Sequence, residues 1–177
     1  MTFVLDNSVA LTWCFEDERT PATTSVLERL TESGAFAPML WPLEALNGLL
    51  AAERRGRLDA PRRRRLAGFL RALPVAIDAE TGSQAWGATA RLAERFALTA
   101  YDAAYLELAH RHHLPLASLD RDLRAAARQL GITLLWRGGM NGCGSGRWGR
   151  APYYRNSSSS ALASTRSGVS KPSVNQP

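Results

Sequence analysis

Five short apolar runs, at residues 3–5, 35–38, 73–77, 116–119 and 132–135, alternate with longer stretches of helical periodicity, and this alternation constrains the fold most tightly. Helices are expected at 21–32, from Pro42 to near Gly56, and at 60–72, 83–96, 100–112 and 121–130, the last stopped by Gly131. Pro42 suits a first helical turn, where its missing N–H costs nothing. Strands this short and this apolar, each followed by a helix, pair in parallel with helices on both faces. The expected class is therefore α/β, an α/β/α sandwich around a short-stranded parallel sheet.

With 177 residues, 45% of them hydrophobic and 21% charged, the chain fits one domain with an appendage. The formal charge of +6 suggests a polyanion partner until it is located. From Arg137 onward there are five arginines and Lys171 but no acid; removing those six from 22 basic residues leaves 16, matched by 16 acids. The domain is thus formally neutral and the basic character belongs to the tail. Residues 1–137 are expected to form the domain. Residues 138–177, a Gly/Ser-rich basic stretch, are expected to be disordered, because they bury too little apolar surface to offset chain entropy. The two cysteines, Cys14 and Cys143, match neither a disulfide framework nor a metal knuckle. No membrane span or signal peptide is read, so a cytoplasmic setting is expected.

Four acids stand where strands give way to helices. Asp6 and Asp120 directly follow apolar runs, and Glu44 and Asp102 lie in the first turns of helices. Each has an ordinary reading as a helix cap or a dipole-favoured residue, and Thr99-Ala100-Tyr101-Asp102 resembles a capping box. Yet ligands in open α/β sheets sit at the carboxyl ends of the strands, which makes these four candidates to converge. Asp102 fits a cap alone least well, since Tyr105, Leu106 and Ala109 place it on the face expected to be buried. Clustered carboxylates repel unless a cation neutralises them. Oxygen donors without Cys or His select a hard ion, Mg²⁺ or Mn²⁺, which suits phosphodiester hydrolysis.

In order and spacing, Val4-Leu5-Asp6-Asn7-Ser8, Leu40-Trp41-Pro42-Leu43-Glu44, Leu98-Thr99-Ala100-Tyr101-Asp102-Ala103-Ala104-Tyr105 and Leu116-Ala117-Ser118-Leu119-Asp120 resemble the PIN-domain ribonucleases, specifically VapC-like toxins. The resemblance implies a Mg²⁺-dependent RNA endonuclease, with Mn²⁺ a plausible substitute, neutralised by a cognate antitoxin and usually homodimeric. Carried over by position, Asp6 and Asp102 are the principal metal ligands, Glu44 positions metal or water, and Asp120 is the fourth catalytic acid. Ser8 matches a hydroxyl that supports the first aspartate, and Asp122 is a weaker understudy for Asp120. The long tail departs from the family pattern.

Arg54, Arg55, Arg57, Arg62 and Arg63, continuing to Arg65, form a basic patch that is a candidate for RNA contact or an ordinary solvated helix turn. His110, His112 and His113 sit at a helix C-terminus, where cations are favoured, rather than at zinc spacing. Trp13, Trp41 and Trp86 read as core or dimer-interface anchors, while Tyr101 and Tyr105 are placed to line the site. Rival functions are a PIN-type RNA-processing nuclease without an antitoxin and a catalytically silent RNA- or protein-binding module. An aspartyl-phosphate enzyme is disfavoured, because Lys171 is the only lysine.

Overall fold

The central strand is β1, Phe3–Leu5, and all three of its side chains are completely buried. An apolar strand with no exposed face needs cover on both sides. The computed structural model describes residues 1–135; the expected disordered tail, with Cys143 and Lys171, lies outside them.

After β1 the chain runs through α1 (Asn7–Thr12), a 3₁₀ turn at Glu16–Glu18, α2 (Pro21–Ser33), β2 (Ala35–Pro38), α3 (Trp41–Arg54), α4 (Ala60–Ala72), β3 (Val75–Asp78), α5 (Thr81–Gln84), a π-helical turn at Ala85–Thr89, α6 (Ala90–Phe96), α7 (Ala100–Arg111), β4 (Leu116–Ala117) and α8 (Arg121–Gln129). The sheet is parallel throughout, in the order β3-β2-β1-β4. Val4 pairs with Phe36 on one side and with Leu116 on the other, and Pro38 pairs with Asp78. Every strand is followed by a helix, so the carboxyl ends of β1 and β2 and the starts of α1 and α3 gather along one rim. Among the described residues no helix is long and apolar enough to cross a membrane.

Local chemistry explains the boundaries. Thr20 caps α2 through a reciprocal capping box with Thr23, and Pro21 takes the first turn. Gly34, at φ 64°, lets the chain reverse from α2 into β2, and a Cβ there would press on the Pro74 carbonyl at 3.3 Å. Gly48 serves packing instead: a Cβ on it would lie 2.6 Å from Cδ1 of the buried Leu11, so its absence lets α3 close on α1. Gly48→Val is expected to destabilise the fold by about 2 kcal/mol through overpacking, measured as a lower urea midpoint with an unchanged slope.

Two expectations are corrected. The helix expected at 83–96 is divided into α5, the π turn and α6; Gly82 and Gly87 weaken the helix there. The strand expected at 132–135 reduces to one parallel bridge, Leu116 to Leu134. Of the three tryptophans expected as core or dimer-interface anchors, Trp13 and Trp41 are buried in the core, whereas Trp86, on the π turn, is 95% exposed, which leaves it the interface role.

Candidate active site

Asp6 is the first residue past β1, and its N–H still donates to the Ala117 carbonyl at 2.9 Å, extending the ladder to β4. Its side chain caps α1, accepting from the Ser8 N–H at 3.3 Å. The hydroxyls of Ser8 and Ser118 both donate to Oδ2 at 2.5 Å. Those hydroxyls are themselves held, Ser8 Oγ by the Leu119 N–H and Ser118 Oγ by the Asp120 N–H, each at 3.0 Å. Capping and site roles coexist in Asp6, because the cap occupies Oδ1 with a single bond while the two serine hydroxyls share Oδ2, and a carboxylate has about four acceptor positions.

Thr99 caps α7: its hydroxyl accepts from the Asp102 N–H at 3.1 Å and donates to Asp102 Oδ2 at 2.6 Å. Glu44, in the first turn of α3, accepts a short hydrogen bond on Oε2 from the phenol of Tyr105 in α7. Tyr105 is buried, whereas Tyr101 is largely exposed.

These groups share one electrostatic field. Burial pushes the Asp6 carboxyl up to about 6, opposed by the Ser118 and Ser8 hydrogen bonds and reinforced by the charge of Asp102. Burial pushes Glu44 up to about 8, opposed by the Tyr105 hydrogen bond and reinforced by Asp6 and Asp102. The Tyr105 phenol is raised well above its ordinary value by burial and by the charges of Glu44 and Asp6, so it remains a protonated donor. Three of the four acids thus converge. Asp120 joins them through its N–H on Ser118 Oγ, while its carboxylate caps α8 by accepting from the Leu123 N–H at 2.7 Å. Asp122 is exposed and meets Arg121 at 3.4 Å.

Among the described residues no Arg or His forms an ion pair with Asp6 or Glu44. Nor do any three acidic, His or Cys side chains there stand as a ready-made metal cage. The donor set nonetheless fits a small hard cation, which binds through one or two carboxylates and completes its shell with water and substrate phosphate. Burial and mutual repulsion disfavour the charged forms of Asp6 and Glu44, and that penalty is what such an ion would offset.

Asp78 shows the contrasting case. It too ends a strand, β3, and is buried, but Arg111 Nη2 meets its Oδ2 at 2.8 Å while Arg111 Nε meets Glu107 at 2.8 Å. Burial raises the Asp78 carboxyl, yet the hydrogen bonds from Arg111 and Thr81 outweigh that and hold it below its ordinary range. No local pattern marks this pair, whose members lie 33 residues apart. Within the basic patch, Arg57 bridges Asp17 and Glu18 and lies 4.4 Å over the Phe15 ring, and Arg63 pairs with Glu53 at 2.6 Å. Arg54, Arg55 and Arg62 are exposed.

A search of curated proteins finds no significant match. The crystal structure of PAE2754 from Pyrobaculum aerophilum superposes with a TM-score of 0.56 at 23% identity, covering 76% of this chain and 84% of that one, a likeness of fold. The family model described as PIN domain matches residues 3–129, which span β1 to the end of α8 and hold Asp6, Glu44, Asp102 and Asp120 alike. A parallel sheet that delivers buried acids to one rim is the frame of that family, whose members are generally metal-dependent nucleases, and this chain belongs to the PIN domain family.

Proposed function

We propose that this chain is a Mg²⁺-dependent endoribonuclease acting as the toxin of a toxin-antitoxin pair, working as a homodimer in the cytoplasm. The convergence of Asp6, Glu44 and Asp102 in one partly desolvated field carries the nuclease reading. A bound divalent ion, Mg²⁺ or Mn²⁺, supplies Lewis-acid stabilisation of charge developing on the attacked phosphate. Asp6 and Asp102 are its principal ligands, and Glu44 supplies a further oxygen. Ser8 and Ser118 fix Asp6, and Thr99 fixes Asp102, so the acids need not reorganise when substrate arrives. Asp120 holds the start of α8 against Ser118 and completes the quartet.

Arg54, Arg55 and Arg62 supply phosphate contacts, whereas Arg57 and Arg63 pin the turn between α3 and α4 on which they stand. The dimer reading is supported by Met39, Leu43, Leu46 and Trp86, large apolar side chains between 40% and 95% exposed. Leu43→Asp is expected to shift the protein toward monomer, read as a halved mass by light scattering.

Purified protein incubated with total cellular RNA, with and without Mg²⁺, tests the activity: new ends that appear only with the ion are expected. Fragments that form equally in chelator would sink the metal-nuclease reading. The alternative, an RNA-processing nuclease without an antitoxin, predicts that no product of a neighbouring short reading frame co-purifies.

A further inference from the structure

Every acid in the cluster is held by a neutral hydroxyl: Asp6 by Ser8 and Ser118, Asp102 by Thr99, and Glu44 by Tyr105. Ser8 and Thr99 are short side chains within three residues of their acceptors, and Ser118 is a short side chain that reaches Asp6 from the neighbouring strand end. Tyr105 differs. It is 1% exposed in a helix segment whose other buried residues are Ala103, Ala104, Leu106, Glu107, Leu108 and Ala109, and its phenol reaches across to α3, 61 residues away in sequence. A phenylalanine would fill the same space, so the hydroxyl is what distinguishes this residue, and a buried hydroxyl is costly unless it is paired. Among the described residues Glu44 is its acceptor, and Tyr105 is the only donor to the Glu44 side chain. Glu44 needs such a partner more than Asp6 does, because its longer side chain has an additional torsion and begins on a helix rather than at a strand end.

We propose that Tyr105 is a positioning residue: by donating its phenol proton to Glu44 Oε2 it holds that carboxylate beside Asp6 and Asp102 and leaves Oε1 for a divalent cation. The proposal rests on the metal-nuclease reading above. Losing the hydroxyl removes no packing volume, yet it frees the Glu44 torsions, so the loss falls on the geometry of the ion's ligands. Groups of this kind, acting on a metal site through another residue, typically change metal affinity by about 10–100-fold.

The test is a double-mutant cycle on the full chain, with Mn²⁺ affinity read by calorimetry in Tyr105→Phe, Glu44→Ala and the double variant. Tyr105→Phe is expected to weaken Mn²⁺ binding about tenfold in the parent background and not at all in the Glu44→Ala background, with a melting temperature near that of the parent. If Glu44→Ala weakens Mn²⁺ binding and Tyr105→Phe does not, the positioning role is wrong and the site stands. Equal losses in both backgrounds would show Tyr105 acting through packing and overturn the proposal. If neither variant changes the affinity, both the proposal and the place of Glu44 in the site fall.

Discussion

Asp102→Asn is expected to slow RNA cleavage at least 100-fold, on the order of what losing several kcal/mol of charge stabilisation at the transition state costs. The substitution keeps the shape of the side chain, and the Thr99 hydroxyl that donates to Oδ2 can rotate to suit an amide. What it removes is one negative charge from the field that raises both Asp6 and Glu44. Two consequences follow together. Divalent-ion affinity falls because a principal ligand has lost its charge, and the metal-free protein melts no lower than the parent because a repulsion has gone. Initial rates on a labelled RNA and a thermal melt in chelator measure the two arms. A variant that still cuts RNA at the parental rate would remove Asp102 from the site.

The positions of the acids along the chain were legible because strand ends and helix starts leave local signals. An apolar triplet before Asp6, Pro42 before Glu44 and a threonine cap before Asp102 each mark a junction, and a parallel sheet brings such junctions to one rim. Which junction acids share a desolvated field and which are neutralised by an arginine was not legible, because that depends on partners far away in sequence. Asp78 ends a strand as Asp6 does, and only Arg111, brought over by α7, removes it from consideration. Ser118 stood in plain view beside Asp120, but its bond to Asp6 closes a gap of 112 residues. The π turn was missed for a different reason. A helical pattern says where apolar side chains recur, and it does not register one residue inserted into a turn. Trp86 lies in that turn and is 95% exposed, which excludes the core half of its expected role and leaves the dimer-interface half.

The metal-free protein is expected to lose stability as pH rises from about 4 to about 8, the reverse of the trend for a domain held by ion-paired carboxylates. Asp6 moves from 3.8 in the unfolded chain to about 6, and Glu44 from 4.5 to about 8. Both folded values are raised, so between the unfolded and folded values the native state binds more protons than the unfolded chain. Stability then falls with pH across that window and levels off above it. The Asp6 shift alone corresponds to about 3 kcal/mol, and with Glu44 discounted for the solvent it still meets the two groups together cost on the order of 4 kcal/mol at pH 8 relative to pH 4. Glu44→Gln removes the larger shift, and it is expected to flatten the upper half of the profile, between about 6 and 8, while leaving the lower half due to Asp6. Millimolar Mn²⁺ is expected to flatten the parental profile for a different reason, since an ion that binds only the folded state favours the deprotonated acids. Urea midpoints at a series of pH values, for parent and Glu44→Gln in chelator and for the parent in Mn²⁺, separate the two effects. A parental midpoint that rose steadily from pH 4 to pH 8 in chelator would mean that the carboxylates are not crowded together in solution.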